Sequence, residues 1–215
     1  MRAKLILIGS GEHACVVADA AYSRPDLWHI EGFIDRQPRA PRRGGIGQWL
    51  GTDEDLHRII RRKTTAWFVL GIGGIAPSST RRDVVRRYST VGERWASIVH
   101  ADAHVSPSAV VGKGVVILAG AVVNCGAVLG DHCLINSGAV IEHDVRIGSF
   151  AQASPGSVIG GGAVLEEGCY VGLGATVRDH VKVGARSMVG MGAVVVADVP
   201  ARVTVTGVPA KVYKE

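Results

Sequence analysis

The sequence predicts two joined architectures: a small α/β, Rossmann-like unit and, after it, a parallel β-helix of hexapeptide repeats. Three observations carry this. Aliphatic residues recur at every sixth position from Val105 to Val195. Strand-like apolar runs alternate with helical patterns through the first hundred residues. Gly contributes 29 of 215 residues while aromatics make up only 5%, a composition suited to repetitive β-structure with a narrow interior.

Residues 1–100 form the first unit. "AKLILIG" reads as a buried strand and "SGEHACVVADAAY" has helical periodicity. "IEGFID" is a second strand. "TDEDLHRIIRRK" is a helix with acidic residues in its first turn, and "AWFVLGIG" is a third strand. "SSTRRDVVRRY" adds a helix and "WASIVH" a final short strand. Strands alternating with helices imply a parallel sheet.

Gly9-Ser10-Gly11-Glu12-His13-Ala14 fits G-x-G-x-x-[G/A] between strand and helix, and Asp35 ends the next strand 21 residues after Ala14. This is the arrangement of a dinucleotide fingerprint. A hundred residues leave room for one mononucleotide-binding half and no hydride-transfer domain, so a nucleotide or nucleotide sugar fits better than NAD. A purely structural tight turn would also satisfy the glycines. A second cluster, "GIGGIAP" (Gly71 to Pro77, with Gly73 and Gly74), follows the third strand. Ligands of open α/β sheets bind beyond the carboxyl ends of the strands, so Gly9–His13, Asp35 and Gly71–Gly74 should converge on one sheet edge. Arg81 and Arg82 open the next helix, facing either a phosphate or solvent.

Residues 101–215 form the second unit. Sixteen positions keep the six-residue beat, all Val, Ile or Leu except Ala153. The residue four places after each is Ala, Val, Cys or Ser in every case. One aliphatic and one small side chain per hexad point into a narrow interior. The residue after the aliphatic one is Gly or Asn in nine cases, read as tight corners. With three hexads per turn the sixteen make a little over five coils of 18 residues.

Net charge is +5 and the pI near 9.2, consistent with a solvated basic surface or with attraction of anionic substrates such as nucleotides and coenzyme A. No basic run interleaved with aromatics points to nucleic acid. Cys15, Cys125, Cys133 and Cys169 lack CxxC spacing, so neither a zinc site nor a redox pair is indicated and most of them read as small buried hydrophobes. No run approaches the roughly 20 apolar residues of a membrane span. "MRAKLILIGSGEH" reaches glycine and charge too early for a signal peptide. A cytoplasmic protein is expected.

In its order of motifs the chain resembles the bacterial hexapeptide-repeat sugar acetyltransferases, which include UDP-4-amino-sugar N-acetyltransferases and sialic-acid O-acetyltransferases. The motifs are Gly9-x-Gly11-x-His13, Asp35, "GIGG", "NSGAVIEHDVRIG" and "GVPAK" (Gly207 to Lys211). The resemblance covers nearly the whole chain. It implies a left-handed β-helix, a homotrimer with active sites between subunits, and acetyl-CoA as co-substrate. His143 matches the family's general base and Asp144 its acidic neighbour. Gly11, Glu12, His13 and Asp35 match nucleotide-sugar contacts, Glu12 standing where Gly is usual. Gly161 and Leu173 match acetyl-CoA contacts. Gln152 replaces a His, and Met191 a Gly, near the cofactor. Lys211 meets either a coenzyme A phosphate or water.

Counting by 18 places Cys125 below His143 and Gly161 above it, with stacked strands about 4.8 Å apart. The expectation is a notch at Gly161 directly above the imidazole, with its N–H aimed at a developing oxyanion. Histidine titrates near neutrality and can take a proton from an attacking amine. A neighbouring carboxylate stabilises the imidazolium. The alternative is an exposed corner histidine without a role. Glu142 reads as solvent-facing and Asn136 as a corner residue. His104, His132, His143 and His180 stack on none of one another, so no metal is expected.

The expected function is an acetyl-CoA-dependent N-acetyltransferase acting on a nucleotide-linked, UDP-type 4-amino sugar. A sialic-acid-type O-acetyltransferase and a non-catalytic β-helical binding protein are the alternatives.

Overall fold

The computed structural model describes residues 2–37, 45–73 and 79–214. The first unit is a four-stranded parallel sheet in the order β3-β2-β1-β4. The strands are β1 (Ala3–Ile8), β2 (Trp28–Ile34), β3 (Gln48–Gly51) and β4 (Trp67–Leu70). Leu5 to Ile8 of β1 are buried on both sides, as a central parallel strand requires. Helix α1 (Glu12–Tyr22) buries Ala14, Val17, Ala18 and Ala21 on one side of the sheet. Helices α2 (Leu56–Arg62) and α3 (Ser79–Arg87) flank the other, where Ile6, Ile8, Ile59, Phe68 and Tyr88 form one cluster. Thr52 caps the 3₁₀ turn before α2 through a reciprocal capping box with Asp55, the start that "TDED" predicts.

Two expectations need correction. Strand β3 has no counterpart among the strands expected from the sequence: it is a short edge strand with Gln48 and Trp49 exposed, so it carries no apolar run to detect. "WASIVH" is not one strand of the sheet. Trp95 bridges Phe68 of β4, whereas Ile98–Val99 (β5) pairs with Val116–Ile117 of the β-helix.

The remainder is a left-handed parallel β-helix of two-residue strands on three faces. Face I runs through Ile98–Val99, Val116–Ile117, Leu134–Ile135, Gln152–Ala153, Tyr170–Val171 and Met188–Val189. Face II contains Val122–Val123, Val140–Ile141 and Val158–Ile159; face III contains Val128–Leu129, Arg146–Ile147 and Val164–Leu165. The predicted beat is the inward column: Ile117, Val123, Leu129, Ile135, Ile141 and Ile147 are at most 3% exposed, with Ala121, Ala127, Cys133 and Ala139 filling the gaps. Cys133 and Cys169 are buried as expected, but Cys125 is exposed.

The corners work differently from the sequence reading. From Val111 to Val189, left-handed backbone occurs three residues after each inward residue of the six-residue beat, as at Gly126 (φ 70°), Gly162 (φ 65°) and even Asp144 (φ 58°). The glycines directly after the aliphatics are needed for close approach instead. A Cβ on Gly148 would lie 2.6 Å from the backbone nitrogen of Glu167 on the next coil, and one on Gly160 2.5 Å from that of Asp179.

The first unit is mounted on face I. Leu5, Leu7 and Val17 share a core with Ile98, Val116, Leu118 and Leu134. Among the described residues no helix is long and apolar enough to cross a membrane.

Candidate active site

The six residues predicted on the first unit surround one cleft of about 590 Å³: Gly9, Gly11, Glu12, His13, Asp35 and Gly73 all line it. They meet because each follows a parallel strand at its carboxyl end or opens α1. Gly9 is left-handed (φ 99°), and a Cβ there would press Ile72 at 2.9 Å. Ser10 donates its N–H (2.8 Å) and its hydroxyl (2.6 Å) to Asp35 Oδ2, which fixes the carboxylate at the cleft wall. The His13 ring packs on Gly73, whose Cβ would lie 2.8 Å from His13 Cγ. Burial, and then the Arg81 charge, lower His13 to about 4, so its imidazole is neutral at pH 7. Gly74 to Pro77 lie outside the described residues.

Sequence reasoning missed part of this cleft. Arg36, Asp53 and Arg87 also line it. Asp53 accepts from the Tyr88 hydroxyl and pairs with Arg87, holding that guanidinium at the wall. Asp53 stands in the capping turn before α2, where the sequence shows only helix-start chemistry.

Arg81 and Arg82 do not line the cleft. Arg81 is 3% exposed and donates from Nη2 to the His132 carbonyl oxygen at 2.6 Å. Among the described residues its Nε and Nη1 have no partner. His132 stacks on Phe150 at 5.2 Å and meets Trp95 edge-on at 4.8 Å. Arg82 pairs with Glu167 at 3.0 Å. Both arginines therefore tie the first unit to the edge between faces III and I.

His143 stands on the edge between faces II and III, at the end of Val140–Ile141 and before Arg146–Ile147. Its Nδ1 is 3.0 Å from Asp144 Oδ2. Asp144 reaches it because the left-handed backbone at that residue turns its side chain back along the corner. The hydrogen bond to Asp144 is the main cause raising His143 above the ordinary imidazole value, with the Asp144 and Glu142 charges adding to it. The side chains are open, His143 56% and Asp144 73% exposed.

The notch above His143 exists, but the imidazole itself fills it. A Cβ on Gly161 would lie 2.6 Å from Nε2 and 2.8 Å from Cε1. Glu142 is not merely solvent-facing: its Oε2 accepts from Asn124 Nδ2 at 3.0 Å and from the His143 N–H at 3.3 Å. The 18-residue spacing of Asn124 and Glu142 was the available signal. Asn136 is a corner residue whose Oδ1 accepts from the Ser137 N–H.

The other predicted residues do not gather around His143 within one chain. Leu173 and Met191 stack on the edge between faces I and II, 43% and 73% exposed. Gln152 is buried on face I. Lys211 begins an exposed strand, Lys211–Lys214, that pairs antiparallel with Thr204–Thr206. His180 shares the edge of His143, its Nδ1 2.5 Å from where a Gly162 Cβ would be. Among the described residues no three His, Cys, Asp or Glu side chains cluster in a way that could hold a metal.

Residues 4–88 match the family described as the PglD N-terminal domain. The acetyltransferase domain of PglB from Neisseria gonorrhoeae FA1090 is 32% identical with a TM-score of 0.89, covering 98% of this chain and 100% of that one. The same domain is known in complex with acetyl coenzyme A. A histidine-to-alanine mutant of GDP-perosamine N-acetyl transferase from Caulobacter crescentus, in complex with CoA and GDP-perosamine, is 31% identical with a TM-score of 0.85. That match covers 99% of this chain and 97% of that one. The UDP-N-acetylbacillosamine N-acetyltransferase of Bacillus subtilis (strain 168) is 32% identical over 113 residues, which is 53% of this chain and 50% of that relative. The chain thus aligns with half the length of this curated relative.

Proposed function

This chain belongs to the bacterial hexapeptide-repeat sugar acetyltransferases, and from that premise we propose that it transfers acetyl from acetyl-CoA to the amino group of a nucleotide-linked 4-amino sugar. UDP is the proposed nucleotide and His143 the general base. The observation that carries this reading is the His143–Asp144 pair, its Nε2 turned to the bare backbone of Gly161.

The amine nitrogen attacks the thioester carbonyl carbon while His143 Nε2 takes the amine proton. Asp144 stabilises the imidazolium at Nδ1. The Gly161 N–H faces the carbonyl oxygen as it gains charge. The C–S bond then breaks and the leaving thiolate takes the proton from His143. No acyl-enzyme is needed, and Cys125 has no part in the transfer. Two of the relatives named above, those of Bacillus subtilis and Caulobacter crescentus, are N-acetyltransferases, which favours an amine over a hydroxyl acceptor.

On this reading residues 1–100 hold the nucleotide sugar and residues 101–215 the acyl donor. The cleft belongs to the unit mounted on face I, and His143 lies on the opposite edge of the triangular coil. A nucleotide sugar held in one chain would therefore meet His143 of another copy. Val122, Val140, Val158 and Val194 on the outward side of face II are β-branched and left half-buried or exposed by the chain itself. This supports a homotrimer packed through that face, bringing Leu173, Met191 and Lys211 towards acetyl-CoA, whereas Gln152, buried on face I, would act only from within its own chain. A free-thiol assay with acetyl-CoA against UDP- and GDP-linked 4-amino sugars tests the function. Thiol release with a UDP-linked sugar supports it, and none with any sugar of the panel refutes it.

A further inference from the structure

Glu142 occupies the slot after an inward aliphatic, where a side chain must choose between the coil above and its own coil. Glu166 occupies the same slot on the edge between faces III and I. Its Oε2 reaches up to accept from the Ala185 N–H at 2.9 Å, nineteen residues on, while Oε1 pairs with Lys182. The equivalent donor for Glu142 is the N–H of Gly161. Glu142 does not take it. Its Oε2 is instead held by Asn124 from the coil below and by the His143 N–H beside it. Among the described residues the Gly161 N–H has no hydrogen-bond acceptor.

We propose that Asn124 and Glu142 are positioning residues: Asn124 draws the Glu142 carboxylate down, so that it fixes the His143 backbone and leaves the Gly161 N–H free for the acyl carbonyl. This rests on His143 being the base. Two tasks are thereby joined in one side chain. The amide that a structural glutamate would occupy stays open, and a second carboxylate is placed beside the imidazole. The charged groups facing His143 are then Asp144, through its hydrogen bond, and Glu142, through its field. Asn124 stands one coil below a polar residue rather than a glycine, which lets the two side chains meet.

The experiment compares Glu142→Gln, Glu142→Ala and Asn124→Ala in the full chain, each checked for a wild-type melting profile. The His143 ring proton is titrated by NMR without substrate, and thiol release from acetyl-CoA is measured with the best acceptor of the nucleotide-sugar panel. Loss of the Glu142 charge moves the His143 titration to lower pH in both Glu142 variants. Glu142→Ala lowers kcat by roughly 10- to 100-fold with little change in KM for acetyl-CoA. Glu142→Gln still accepts both hydrogen bonds and recovers most of that loss. Asn124→Ala, with Glu142 released towards Gly161, lowers kcat while its carboxylate remains. A Glu142→Ala variant with wild-type kcat and an unmoved His143 titration overturns the proposal. An active His143→Ala variant would instead refute His143 as the base, whether or not the His143 titration moves in the Glu142 variants, so the two failures are distinguishable.

Discussion

A Cβ placed on Gly161 would lie 2.6 Å from His143 Nε2: the imidazole stands in the space of the side chain that the next coil lacks. Gly161→Ala should therefore push the ring off its place without touching the inward core. Thiol release should fall by roughly 100-fold, on the scale that small misplacements of catalytic groups produce, while the melting temperature shifts by only a few degrees. Undiminished turnover in this variant would show that the ring does not work from the position described.

His143→Ala should lose about 10²- to 10⁴-fold in turnover and still bind acetyl-CoA in calorimetry. The base acts when neutral, so the acid limb of kcat/KM follows its pKa, which Asp144 raises. Asp144→Asn removes that support and should move the limb to lower pH. A limb that stays in place would separate Asp144 from the titration.

Acid should destabilise the fold through two histidines. His13 and His132 are each lowered to about 4, chiefly by burial, whereas the unfolded chain binds their protons from about 6.5. The unfolded state then holds more protons between about pH 6.5 and 4, so stability falls as pH drops through that window. The limit is roughly 3 kcal/mol per histidine. Melting curves from pH 7 to 4 check it, and His132→Phe should flatten part of the dependence. A melting temperature independent of pH across the window would contradict both assignments.

The valines of face II should hold the assembly together. Val140→Glu and Val158→Glu put charges into the outward row without entering the inward core. Light scattering after gel filtration should report a trimer for the parent chain and smaller species for the double variant, with acetyl transfer lost alongside. A monomeric parent chain would remove the proposed interface.

The β-helix was legible because one rule, an aliphatic every six residues, repeats without a break from Val105 to Val195 apart from Ala153. The glycine loops and Asp35 were legible because strand ends of a parallel sheet gather at one edge. What could not be read was any feature that depends on which way a side chain turns. Gly148 and Gly112 look like corner glycines, yet their need is set by the coil above. Arg81 looks like a phosphate ligand at a helix start, yet it points inward to the His132 carbonyl. Strand β3 has no apolar signature, since Gln48 and Trp49 face solvent and pairing with β2 alone defines it.

Mounting the cleft on face I while His143 stands on the far edge has a consequence for the life of the molecule. A newly made chain, folded but alone, could grip its sugar nucleotide and yet have no proton acceptor within reach of the amine. In the proposed assembly chemistry begins only when copies meet, so acetyl-CoA is protected from idle consumption by orphan chains. Two differently crippled chains, one unable to bind sugar and the other lacking His143, could then restore each other when mixed.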